Sequence, residues 1–262
     1  MNNRKRSSVR GLMLVVACLV SVAWADDTLV LQNTGAGAAM GGVYTSPYGI
    51  TVNGTPTLLI CDDFETDISL GHSWFAIPNT LTQISSSTVN GLKFASSPYS
   101  SAILAGTSVA EDYATAAVVA AELLTLPNVG TPAENTETAG ELSYAIWSVF
   151  DNSLYTSLNS TGSTGFGSLT TTEVAAVDAY IVNAQNLVGG ATAGGVTTLD
   201  DLLVGGHPIT NLTVYSPNPL GSSQEFLTVN TVATPEPSGS VMAALAGLAA
   251  FVAARRRRAR NN

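Results

Sequence analysis

Between Arg10 and Arg255 the chain carries a single basic residue, Lys93. All 19 acidic residues also lie in that stretch, from Asp26 to Glu236, so one positive charge stands against 19 negative ones, a net of −18 hidden behind the whole-chain value of −9. This excludes nucleic acid and anionic lipid as partners of the central region, because both are held by Lys and Arg at phosphates. Charge of either sign is scarce, 11% of residues against about 25% in an average globular protein. Gly, Ser, Thr and Asn do the solvating instead, the composition of a β-rich extracellular protein. Cysteine is limited to Cys18 and Cys61. With Cys18 inside a leader, Cys61 has no partner for an intrachain disulfide, and packing must hold the core. Also missing are a Gly-rich phosphate loop ending in Gly-Lys-Ser/Thr, a Gly-x-Ser-x-Gly elbow opening a helix, an Asp-x-Asp-x-Asp-Gly calcium loop and any internal repeat.

What is there begins with two terminal signals. Arg4, Lys5, Arg6 and Arg10 precede an apolar run from Gly11 to Val22, and Ala23-Trp24-Ala25 is a small-residue cleavage site. This reads as a secretory signal peptide over residues 1–25, handled by the secretion translocon and signal peptidase, with a mature chain starting at Asp26. Val15-Val16-Ala17-Cys18 offers a lipoprotein box as the rival, against which the apolar run continues beyond Cys18. At the other end Pro235-Glu236-Pro237 leads into an apolar stretch ending at Ala254, followed by Arg255, Arg256, Arg257 and Arg258. Ser238 to Ala254 as a helix is about 25 Å long against a hydrocarbon core of about 30 Å, short but able to span. The arginines place its far end in the cytoplasm. Motif, helix and basic tail over residues 233–262 together resemble the PEP-CTERM sorting signal of Gram-negative bacteria. That resemblance implies recognition and cleavage by an exosortase, with transient residence in the inner membrane. An ordinary C-terminal anchor is the alternative.

Residues 26–232 are expected to form one extracellular α+β domain, a β-rich sandwich or barrel with a three-helix insertion. Gly49 to Val52 and Thr55 to Ile60 flank Asn53-Gly54, a strong hairpin signal. Thr80 to Ser101 reads as irregular. Ser108/Glu111, Thr138/Glu141 and Thr170/Glu173 have the spacing of capping boxes and predict three helices. The second, with Leu142, Ala145, Ile146 and Val149 on one side and Tyr144, Trp147 and Phe150 on the other, is expected to be buried all round. His207 to Tyr215 and Gln224 to Val229 predict returning strands.

Leu59-Ile60-Cys61-Asp62-Asp63-Phe64 and Leu142-Ser143-Tyr144-Ala145-Ile146-Trp147 together resemble the paired motifs of surface thioester domains. In those adhesins a cysteine after an apolar strand bonds to a glutamine four residues before the tryptophan of an Ala-Ile-Trp motif. Here Cys61 matches the cysteine and Trp147 the tryptophan, while Ser143 stands at the glutamine position. Serine has no carboxamide to acylate a thiol. The resemblance therefore implies the fold without the thioester, and Cys61 is expected to be a buried free thiol.

Other chemistries are weaker on the residues. A protease nucleophile at Cys61 with His72 or His207 as base is disfavoured by Asp63, Glu65 and Asp67, which would share its face if residues 61–67 form a strand. The same run, with Asp62, could give oxygens to calcium, the one cofactor considered. The reading is a non-enzymatic, exosortase-processed protein of the cell surface or extracellular matrix. Its tail resemblance implies biofilm and exopolysaccharide association. A secreted hydrolase using paired carboxylates and a ligand-binding adhesin with an aromatic groove near Trp74, Tyr144 or Trp147 are the alternatives.

Overall fold

The computed structural model describes residues 26–35, 39–86, 91–96, 107–132, 134–154, 169–192, 203–204 and 207–231. Ala23, Ala25, Pro235, Glu236, Pro237 and Arg255 to Arg258, and thus both terminal signals, lie outside the described residues. In chain order the elements are β1 (Asp27–Asn33), β2 (Ala39–Met40), β3 (Val43–Tyr44), β4 (Tyr48–Val52), β5 (Thr55–Cys61), β6 (Ser73–Thr80), α1 (Leu81–Ser85), α2 (Val109–Leu124), α3 (Thr136–Phe150), α4 (Thr171–Thr192), β7 (Leu203–Val204), β8 (His207–Asn218) and β9 (Phe226–Thr231). No helix among the described residues is long and apolar enough to cross a membrane.

Six antiparallel strands close into a barrel in the order β6-β1-β4-β5-β9-β8, and β8 pairs back onto β6. Closure depends on the length of β8. Its residues 209–215 face β9 and its residues 213–218 face β6 from Phe75 to Thr80. The β4–β5 hairpin turns as its sequence predicts, with Asn53 at φ 50° and Gly54 at φ 81°, the two left-handed residues of a tight turn.

Alternation along the strands divides the core in two. Leu59 and Cys61 of β5 point into the barrel with Leu29, Leu31, Tyr48, Ile50, Trp74, Ala76 and Phe226. Ile60 and Leu227, one residue out of phase, point outward with Leu212, Val214 and Val229 onto the helices. One flank of the barrel is thus buried on both faces, which is why Leu59 to Cys61 is an unbroken apolar run. Against it packs α2, whose alanines at 114, 116, 117, 120 and 121 are all fully buried. α3 lies alongside, with every residue from Ala139 to Phe150 buried. α4 covers the pair with Val177, Ile181, Ala184 and Val188.

The structure is thus a β-rich domain, a closed antiparallel barrel with helices inserted between β6 and β7. Three local expectations are corrected. The segment after Cys61 is not a strand: β5 ends there, and residues 62–69 are irregular. α3 begins at Thr136 rather than after Thr138, because Asn135 is the cap and its side chain accepts from the Thr138 N–H. The stretch from Thr80 is not wholly irregular, since Thr80 and Gln83 form a reciprocal capping box that starts α1. The boxes at Ser108/Glu111 and Thr170/Glu173 form as expected.

Candidate functional site

The two sequence motifs meet at the end of β5. Ser143, one turn into the buried part of α3, donates its hydroxyl to the Ala139 carbonyl at 2.8 Å and accepts the Ser46 N–H at 3.0 Å. Ser46 in turn accepts the Cys61 N–H on its hydroxyl at 3.0 Å. Phe64, three residues past Cys61, packs its ring on Trp147 (5.0 Å between centroids) and on Tyr144 (6.3 Å). Cys61, Ser143 and Trp147 are thereby brought into one buried neighbourhood. Cys61 is a free cysteine, fully buried, and its thiol donates to the Asp63 carbonyl at 3.1 Å. Burial pushes the thiol well above its ordinary range, the charges of Asp63 and Asp62 add to the rise, and the Trp147 indole acts the other way. A thiolate nucleophile does not arise in such surroundings.

The histidines and the acidic run separate. His72 stacks on Trp74 at 5.5 Å, while His207 opens β8. Glu65 and Asp67 are exposed, whereas Asp62 and Asp63 are buried. Among the described residues no group of three or more His, Cys, Asp or Glu is arranged to hold a metal ion, so the calcium expectation gains no site there.

Sequence reasoning missed a cluster of buried charge beside Cys61, between the barrel wall and α2. Lys93, with its side chain fully buried, makes an ion pair with Asp63 Oδ2 and donates to the Thr66 hydroxyl at 2.8 Å. Asp63 also accepts the Glu225 N–H at 3.2 Å and the Glu65 N–H at 3.2 Å. Glu225, also fully buried, accepts from the Lys93 N–H at 3.0 Å and from the hydroxyls of Tyr113 and Ser216. Burial is the main cause raising the Glu225 carboxyl, offset in part by these donors. Asp62 is fully buried with neither carboxyl oxygen hydrogen-bonded. Burial, then Glu225 and Asp63, push its carboxyl well above the ordinary carboxylate range. The available signal was that Lys93 is alone in a long acidic stretch, where an unpaired lysine would have no reason to be tied to one place.

Over the same segment opens a cleft of about 610 Å³ whose lining includes Tyr44, Phe64 and Trp147 together with Glu65, Asp67 and Asp151. Trp147 is 2% exposed and belongs to its floor, whereas Tyr44 is 57% exposed. The arrangement offers aromatic faces and carboxylate acceptors, with the Cys61 sulfur buried. No protein-family model, curated protein or solved structure matches the chain.

Proposed function

We propose that this is an exported, exosortase-processed protein of the cell surface or extracellular matrix, whose folded domain serves structure or non-covalent interaction rather than catalysis. The observation that carries the reading is the ordered succession of Pro235-Glu236-Pro237, an apolar stretch and Arg255 to Arg258 opposite an N-terminal leader ending at Ala25. The buried state of Cys61 supports the non-catalytic part, because the one side chain with a candidate nucleophile motif has no access to substrate. In an exosortase-bearing Gram-negative host, the exported form should begin at Asp26 and end near Pro237 by mass spectrometry. Replacing Pro235, Glu236 and Pro237 together with Ala should retain it in the inner membrane, since helix and arginines still stop transfer. Unchanged release would show that the motif is not what is read.

A second reading, a ligand-binding adhesin, is favoured by the aromatic cleft at Trp147 and Tyr44. Exopolysaccharide from the producing cell is the ligand to try by calorimetry. Loss of binding in Tyr44→Ala, with folding intact, would support it.

A further inference from the structure

We propose that Lys93 and Asp63 condense into an amide between their side chains, so that the domain carries a covalent cross-link of its own making. The two residues are 30 apart in sequence and touch directly, Nζ to Oδ2, with both side chains essentially sealed from water. From Asp26 to Glu236 the chain has one cysteine and one lysine, so neither a disulfide within that stretch nor an amide from a second lysine is open to it.

The surroundings are those an amide-forming reaction needs. Attack on a carboxyl carbon develops negative charge on its oxygens, and backbone N–H groups already point at both: Glu225 N–H at Oδ2 and Glu65 N–H at Oδ1. The amine is fixed from two sides. Its Nζ donates to the Thr66 hydroxyl, and its own backbone N–H is held by the Glu225 carboxylate. Reacting groups immobilised in contact react as if at very high concentration, and exclusion of water removes the competing solvation of the ions. A proton carrier is also present. Glu225 is occupied by three donors, whereas Asp62 feels the charges of Glu225, Asp63 and Lys93 and has both oxygens buried without a partner.

The steps balance without an oxidant or a cofactor. Lys93 passes one ammonium proton to the Asp63 carboxylate, and the freed nitrogen lone pair attacks Asp63 Cγ, forming the C–N bond. Asp62 relays a second proton from that nitrogen to the departing oxygen and is itself restored. The C–O bond breaks and one water leaves. The product replaces a buried ion pair, which pays a large desolvation cost, with a neutral amide.

The test is the intact mass, under denaturing conditions, of the folded chain as purified, compared with the mass calculated from its sequenced ends. The expected value is short by one water. Digestion with a Glu-specific protease should yield a fragment in which the peptides of Lys93 and Asp63 are joined. Lys93 in the denatured chain should not react with an amine-acylating reagent. Lys93→Arg and Asp63→Ala should each restore the full mass, and Asp62→Ala should slow the loss of water. Full mass in the folded wild-type chain overturns the proposal even if every variant fails to fold. A deficit that hydroxylamine reverses marks a cyclic imide or a thioester, and overturns it equally.

Discussion

Cys61 and Ser143 are tied to the same residue: the Cys61 N–H donates to the Ser46 hydroxyl while the Ser46 N–H donates to the Ser143 hydroxyl, each at 3.0 Å. Ser143 is 97 residues from Ser46, so this relay fastens α3 to the barrel wall. Ser143→Ala leaves the buried Ser46 N–H without an acceptor and should lower unfolding stability by about 1–3 kcal/mol. Urea denaturation measures it, and an unchanged midpoint would mean that the relay contributes nothing.

Ser143→Gln tests the thioester resemblance directly. Wild-type Cys61, buried and donating to the Asp63 carbonyl, should label slowly with iodoacetamide in the native state and at an ordinary rate once denatured. In the glutamine variant, thioester formation would expel ammonia and make Cys61 refractory until hydroxylamine is added. A variant that keeps the wild-type fold and an unaltered free thiol would argue against likeness of scaffold at this point.

Asp112 gives a pH dependence of known sign. Its carboxyl is buried and raised to about 6, chiefly by desolvation, whereas the unfolded chain ionises near about 3.9. The unfolded state therefore loses its proton first. The stability this residue contributes is complete below the unfolded value and is lost as pH rises through the folded one. Asp112→Asn keeps an oxygen for the Thr107 hydroxyl, which now donates to Oδ1. It should gain stability relative to wild type between about pH 4 and about pH 7. Urea midpoints across that range measure the difference, and a gap that narrows with rising pH contradicts the assignment.

Gly140 on α3 faces Met40 of β2. A Cβ there would stand 2.3 Å from the Met40 sulfur and 2.8 Å from its Cβ, and the strand cannot simply withdraw, because the Tyr144 hydroxyl holds the Met40 carbonyl at 3.3 Å. Helix propensity favours alanine by about 1 kcal/mol, but overpacking costs about 1–3 kcal/mol. Gly140→Ala should therefore destabilise, and adding Met40→Ala should cost less than the sum of the single changes. Additive costs in thermal or urea melts would show that the two residues do not compete for space.

Local signals were the readable part of the fold. Asn53-Gly54 specifies its hairpin through backbone geometry, and Ser108/Glu111 starts α2 through atoms three residues apart. Thr138/Glu141 matched the same pattern and misplaced the start of α3, because Asn135 competes for the same N–H and Glu141 lies buried farther along. Barrel closure was beyond local reading. Phe75 pairs with Asn218, and no periodicity in either strand names the other. The charged cluster failed for the same reason: Lys93 and Glu225 are 132 residues apart, and each alone resembles a surface residue. In the sequence only a motif resemblance links Cys61 to Ser143, 82 residues farther along.

The burial of Lys93 also bears on resistance to proteolysis. Proteases of the trypsin type cut after Lys or Arg, and between Arg10 and Arg255 the chain presents them with one such bond, Lys93–Phe94. Leu92, Lys93 and Phe94 are all buried, so even that bond is reachable only after the domain opens. A large class of secreted digestive enzymes therefore finds nothing to cut in the folded domain.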